Sequence, residues 1–284
     1  MRIAVIADVH GILPALEAFL DGIAGERLDG LIVAGDMVGG PSSVAVLDRL
    51  RNHRPWMIRG NWENYLLRLA AGDAPDWWQT RNQYAFMRWN YENVDSVSLG
   101  FLRGLPEQAR IDLPQGDAIR VVHGSPGSVN ELIFPGRNMA QLDRALAQVS
   151  ENVVIFGHTH EAWVLERNGR LALNPGSLGM SFDGQQCGTY ALLDWDGQAW
   201  SAEIRRLDYD FGQLRQAYET SGLLEKGGAI SRCCLTSIEQ GINHLPPLLE
   251  YAYKQAALAG YADLPFVPDE IWDEATRTFE QKNY

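Results

Sequence analysis

Short apolar runs that stop abruptly at a polar turn recur along this chain, and they restrict its fold more than any other feature. The first, Ile3 to Ala7, is apolar at every position, as expected of a strand buried on both faces. Asp8 and His10 sit just past its end. The stretch LPALEAFLDGIA follows, with Leu16, Phe19, Leu20 and Ile23 on one helical face and Pro14 suited to the first turn. The cycle then repeats. Leu31 to Ala34 ends in Gly35-Asp36, the helix-like SSVAVLDRLRNH intervenes, and Trp56 to Ile58 ends in Gly60-Asn61. Alternation of this kind predicts an α/β layered fold.

From about residue 64 to 104 the chain reads as helical and rich in tryptophan. AIRVVHGSPG, NVVIFGHTHEA and RLALNPGSLG then give three more strand-and-turn units, and Thr189 to Leu193 with Ala199 to Arg205 reads as a closing hairpin around Asp196-Gly197. After Asp208 only helical patterns remain: FGQLRQAYETSG ends at Gly222, PPLLEYAYKQAALAG starts on prolines, and VPDEIWDEATRTFEQ starts at Pro268 with acids in its first turn. The expected organisation is an α/β domain over residues 1–207 and an appended C-terminal helical module over residues 208–284. Its aromatic faces need something to pack on, either the core or a second copy in a homo-oligomer.

The 284 residues, 46% of them hydrophobic, are enough for a full core. A formal charge of -12 disfavours long nucleic acid as a partner, because phosphate backbones are held by clustered Lys and Arg. Cys187, Cys233 and Cys234 form neither a disulfide framework nor a metal-binding pair of pairs, and read as reduced core thiols. The N-terminal apolar run is too short for a signal-peptide core and no stretch approaches a membrane span, so the expected setting is cytoplasmic with no membrane partner.

The polar residues at strand ends are Asp8, His10, Asp36, Asn61, His123, His158 and His160. Four of the six histidines are among them, and in a layered α/β fold strand carboxyl ends gather along one edge. Carboxylates and imidazoles crowded together are reconciled by divalent cations. The donor set suits two metals: Asp8 and His160, completed by His10, for one; Asn61, His123 and His158 for the other; Asp36 with its two oxygens as the bridge. Imidazole, carboxylate and amide without thiolate suit Mn, Fe, Zn, Co or Ni, and manganese is the ion expected first.

In this order, Asp8-x-His10, Gly35-Asp36, Gly60-Asn61, His123-Gly124 and Gly157-His158-x-His160 resemble the five-block signature of the calcineurin-like metallophosphoesterases. The resemblance covers roughly residues 1 to 205, and VVHGSP, FGHTH and NPGSLG are most similar to the small bacterial phosphodiesterase branch. It implies a four-layer α-β-β-α sandwich with two central mixed sheets, here carrying a C-terminal helical appendage. It also implies a dimetal centre in which a water shared by the metals attacks phosphorus, with Asp36 and Asn61 as the catalytic pair. Asn61 would bind metal through its oxygen and face the substrate phosphate with its amide hydrogens.

Many members of that superfamily carry His where this chain has Trp62, followed by an acid that orients it. Trp62 cannot transfer a proton, which disfavours poor leaving groups and favours a small phosphodiester or nucleotide-like substrate over a simple phosphomonoester. Two readings of Trp62 stand side by side: substrate binding, by stacking on a ring, or packing against Trp77, Trp78 or Trp89. Ser177 is a candidate substrate-binding residue and Ser125 a candidate phosphate donor, each with turn formation as the competing reading. Arg59 faces either phosphate or a structural ion pair. A binding or regulatory scaffold with little catalysis is the alternative to an enzyme.

Overall fold

Strand β1 (Arg2–Ile6) sends Ile3 and Val5 into one apolar cluster and Ala4 and Ile6 into another, so both of its faces are covered. The computed structural model describes residues 1–283. From β1 the chain alternates through α1 (Leu13–Ile23), β2 (Gly30–Val33), α2 (Ser43–His53) and β3 (Trp56–Met57). A helical stretch follows: α3 (Asn61–Ala71), α4 (Asp76–Thr80), a 3-10 turn at Asn82–Tyr84, α5 (Ala85–Glu92) and α6 (Ser96–Gly104). The second half contains β4 (Gln108–Ile111), β5 (Ile119–Val122), α7 (Met139–Leu146), β6 (Val153–Ile155), β7 (Ala162–Arg167), β8 (Arg170–Pro175), β9 (Gly188–Trp195) and β10 (Trp200–Leu207). Five helices close the chain: α8 (Phe211–Thr220), α9 (Leu223–Lys226), α10 (Gly228–Gln240), α11 (Leu245–Leu258) and α12 (Asp269–Asn283).

The strands form two mixed sheets, ordered β10-β9-β1-β2-β3 and β4-β5-β6-β8-β7. Ile3, Val5, Ile32 and Leu193 of the first sheet meet Ile119, Val121, Ile155 and Leu173 of the second in one buried cluster. The outer face of the first sheet packs on helices that include α1, α2 and α3, and the outer face of the second packs on α7. This is the four-layer α-β-β-α sandwich. Each fully buried Ile, Leu or Val in it contributes on the order of 1.5–3 kcal/mol, which outweighs any local preference of the short strands.

Register positions the site. β1, β2 and β3 run parallel, with Ile6 opposite Val33 and Val33 opposite Met57, so the turns carrying Asp8, Asp36 and Asn61 emerge side by side. In the second sheet the parallel strands β5, β6 and β8 pair Val121 with Ile155 and Ile155 with Leu173, bringing His123, the His158–His160 turn and the β8 end together.

Beyond the stretches named from the sequence, the structure adds β4, β7, α7, α9 and α10. β4 is an edge strand with exposed positions, and β7, although it opens on the apolar run Ala162 to Leu165, lies half-buried at the opposite edge of the sheet. β7 and β8 are joined at Asn168-Gly169, both in the left-handed region (φ 54 and 73), which is the two-residue hairpin turn that an Asn-Gly pair specifies.

The closing helices pack on the core. Leu214 and Tyr218 of α8 and Cys234, Leu235 and Ile238 of α10 belong to the same buried cluster as Leu16 and Phe19 of α1. α11 and α12 pack farther out, around Ala252, Ala256, Trp272 and Phe279. All three cysteines are buried, and no helix among the described residues is long and apolar enough to cross a membrane.

Candidate metal centre

Backbone strain marks the site before any side chain is considered. Seven non-glycine residues among those described have positive φ, and five of them are Asp8 (54), His10 (49), Asp36 (53), His158 (69) and His160 (59). The left-handed region is costly for residues with a Cβ, and it persists only where surrounding bonds enforce it. Those bonds are present: the amides of Asp8, His10 and Gly11 donate to the carbonyls of Gly35 (3.1 Å), Asp36 (2.9 Å) and Met37 (2.8 Å), locking the turns after β1 and β2 edge to edge.

The side chains gather into two triads, Asp8–His10–His160 and Asp36–His123–His158, and within each triad the ligand atoms lie within 4.8 Å of one another. Asp36 Oδ2 stands between the triads, 3.4 Å from His123 Nε2 and 3.8 Å from His10 Nε2. Asp8 Oδ1 is 3.4 Å from His160 Nε2 and 4.0 Å from His123 Nε2, while Asp8 Oδ2 accepts the His158 amide at 3.0 Å. Asn61 brings its Oδ1 to 2.9 Å from His123 Nε2. All seven strand-end residues therefore come together, six of them in the two triads and Asn61 against His123.

This arrangement suits cations. His123 Nδ1 and His160 Nδ1 face the carbonyls of Ala34 (2.8 Å) and Met180 (2.7 Å), so the neutral tautomers these bonds select donate from Nδ1 and aim a lone pair from Nε2 into the centre. Asp8 Oδ1 and His10 Nδ1 are buried without a hydrogen-bond partner. Burial opposes charge at His123, but Asp36 and Asp8 overcome it and carry its pKa up to about 10; His160 is raised for the same reason by Asp8. Both carboxylates are held below their usual range despite burial, Asp8 by His160 and Asp36 by His123. Burial and the neighbouring His160 push His10 down to about 4, and burial with His123 lowers His158. A water-excluded group of seven nitrogen and oxygen donors that draws positive charge toward its carboxylates, with no thiolate, fits two divalent metal ions.

Glu63 is the residue whose role the sequence reading missed. It is fully buried, and its two oxygens accept four backbone N–H bonds, from Asp36 (2.9 Å), Met37 (2.8 Å), Val38 (3.1 Å) and Gly60 (2.7 Å). It thus ties the first turn of α3 to the loop carrying Asp36. The signal was available: an acid three residues after the glycine that opens a helix is the acidic half of a capping box. Burial and Asp36 push its pKa up to about 7 against the pull of those N–H donors. Asp36 Oδ1 in turn accepts the Trp62 amide at 2.9 Å, at the positive end of α3. Gly60 allows this contact, since a Cβ there would lie 2.1 Å from Asp36 Oδ1. Asn174, also fully buried, similarly anchors the histidine turn by donating to Gly157 O (2.7 Å) and Thr159 Oγ1 (3.1 Å).

Trp62 is half-buried and packed. Gly39, at φ +105, lies against one face of the indole, where a Cβ would approach to 2.8 Å. Phe86 and Tyr65 meet it edge to face at 5.3 and 5.9 Å, and it stands edge-on to His10 at 6.2 Å. It also packs against the buried cluster that contains Trp89, and Trp78 lies one ring beyond Tyr65. On the other side of the first triad, Phe182 stacks on His160 at 5.1 Å.

Ser177 departs from expectation. It is fully buried, its hydroxyl donates to Asp8 O (2.6 Å) and accepts from Met180 N (2.7 Å), and so it braces the Asp8 turn instead of facing a substrate. Ser125 closes its own turn through Gly127 and Ser128, and Arg59 pairs with Glu107 at 3.5 Å.

Comparison with known proteins agrees with this geometry. Residues 1–198 match the profile of the calcineurin-like phosphoesterase superfamily domain. The chain is similar to an uncharacterised protein of Methanocaldococcus jannaschii, 26% identical over 235 residues that span 76% of this chain and 90% of that protein. In fold it is similar to the crystal structure of a metallophosphoesterase from Sphaerobacter thermophilus (24% identity, TM-score 0.67, covering 85% of this chain and 100% of that one). A hypothetical protein from Pyrococcus horikoshii is similar too (19% identity, TM-score 0.71, 84% and 98%).

Proposed function

The chain belongs to the calcineurin-like phosphoesterase superfamily, and we propose that it is a dimetal phosphoesterase that prefers small phosphodiesters. The observation that carries this reading is the single oxygen Asp36 Oδ2 set between two histidine-containing triads. The ligand set is Asp8, His10 and His160 at one position and His123, His158 and Asn61 at the other, with Asp36 shared. Two divalent ions held by such a set lower the pKa of water and clamp phosphate oxygens for in-line attack. Manganese is the ion to test first.

The chain's own residues supply the rest. Asp8 and Asp36 concentrate negative charge where the cations sit, and His123 and His160 are oriented by backbone carbonyls. Asn61, with its oxygen turned toward His123, has amide hydrogens left for a phosphate oxygen. At position 62 an indole stands in place of a proton donor, and a positioned acid is worth about 10² to 10⁴ in rate. Its absence weighs most on poor leaving groups, which supports aryl or nucleoside diesters over alkyl monoesters. Trp62 stands edge-on to His10 and Phe182 stacks on His160, so both histidines of the first triad border aromatic side chains, in keeping with a ring next to the phosphate.

Manganese-loaded protein is to be assayed with bis(p-nitrophenyl) phosphate, p-nitrophenyl phosphate and a panel of cyclic nucleotides, dinucleoside polyphosphates and oligonucleotide ends. Higher kcat/KM for the diester supports the proposal. Stoichiometric metal with no turnover of any ester would favour a binding scaffold instead.

A further inference from the structure

We propose that Tyr65 donates a hydrogen bond from its phenolic hydroxyl to the phosphate group of the substrate. The inference rests on the phosphoesterase reading of the centre. Asn61 and Tyr65 lie one turn apart on the same face of α3. The oxygen of Asn61 is directed to His123, which leaves its amide hydrogens for other partners on the face that Tyr65 shares. The phenol therefore stands beside the amide that faces the phosphate.

Its ring is held firmly. Trp62 packs against it at 5.9 Å and Trp78 at 5.4 Å, both edge to face, so the hydroxyl is placed by packing rather than by a mobile chain. The hydroxyl donates at 3.0 Å to Oδ1 of Asn130, an exposed residue on the loop after β5. Water can replace Tyr65 at that exposed amide, so turning the O–H bond from Asn130 to a substrate oxygen costs little. A phenol keeps its proton at neutral pH, so the hydroxyl serves as a hydrogen-bond donor. In the step it assists, a water oxygen bonds to phosphorus and releases a proton to solvent. The ester P–O bond breaks with its electron pair on the departing oxygen, which takes a proton from solvent.

A purely structural role would make Tyr65 a tie between α3 and the β5 loop, and that role is separable. Asn130→Ala cuts the tie and leaves the hydroxyl; Tyr65→Phe keeps the ring and removes the donor. Wild type and both variants, loaded with manganese and checked for metal content, are to be titrated with inorganic phosphate by calorimetry and assayed with bis(p-nitrophenyl) phosphate. Tyr65→Phe is expected to retain metal, weaken phosphate binding about 10-fold and lower kcat/KM about 10²-fold, while Asn130→Ala changes either by less than about 3-fold. Equal losses in the two variants, unchanged phosphate affinity in Tyr65→Phe, or no phosphate binding by the metal-loaded wild type would each overturn the assignment. Absence of turnover in the wild type with phosphate binding still dependent on Tyr65 would instead strike the catalytic reading alone.

Discussion

Trp62 and Glu63 are neighbours on α3 with unrelated tasks, and the separation of the two decides what substitution there can achieve. A histidine in place of Trp62 would need a carboxylate to orient it, but both oxygens of Glu63 are engaged by the amides of Asp36, Met37, Val38 and Gly60. Trp62→His is therefore expected not to create a useful general acid. A plot of log(kcat/KM) against leaving-group pKa should run parallel for the two proteins, and a shallower slope in the variant would refute this account. Glu63→Gln replaces an acceptor oxygen with an amide donor inside a cluster of N–H groups. Leaving such groups unpaired costs about 1–3 kcal/mol each, so a loss of about 3 kcal/mol in urea unfolding is expected, with weaker metal binding because the Asp36 turn loses its anchor. Unchanged stability would show that water fills the cradle.

At the scale of elements, the site consists of strand ends brought into line by pairing, and the edges of the sheets were the parts hardest to read. β4 escaped notice because an edge strand with one wet face has no continuous apolar run, whereas the short apolar run of β7, Ala162 to Leu165, was passed over between the histidine turn and β8. Asn168-Gly169 did carry the β7–β8 hairpin signal. A charged clasp joins three neighbouring strands of the second sheet: Glu151, just before β6, accepts from Arg120 of β5 at 2.7 Å and from Arg110 of β4 at 3.3 Å. Burial works against its charge, but Arg120 prevails and holds the carboxyl below its ordinary 4.5. A depressed carboxyl contributes stability above its unfolded pKa and loses it as pH falls through the lower folded value. Glu151→Gln should accordingly destabilise the protein at pH 7 and lose part of the acid-side decline below about pH 4.5. Parallel stability-pH curves from urea titrations between pH 3 and 7 would exclude this clasp.

At the scale of the whole molecule, the closing helices share a core with the sandwich. Leu214, Tyr218, Cys234, Leu235 and Ile238 are buried in the cluster that covers the outer face of β1. Deleting residues 208–284 would uncover that face, and with roughly 1.5–3 kcal/mol per large apolar side chain at stake the remainder should aggregate or unfold at ambient temperature. Light scattering and thermal denaturation of the truncated chain check this. A truncated protein that is monomeric, binds metal and unfolds at the same temperature would mean the helices contribute nothing to the sandwich.

The sequence by itself determined the layered fold and which polar residues stand at the strand ends. Apolar strand runs and helical periodicity follow from local burial patterns, and parallel strands necessarily deliver their carboxyl ends to one edge. Its motifs also resembled the superfamily to which the chain belongs. Only the tertiary structure decided that one oxygen of Asp36 lies between the triads, that Ser177 turns inward and that the oxygens of Glu63 are taken by backbone amides. These outcomes depend on side-chain direction and on hydrogen bonds between segments distant in sequence. Such bonds leave no periodic trace in the chain, because the groups they join become neighbours only once the sheets have paired and the turns have closed.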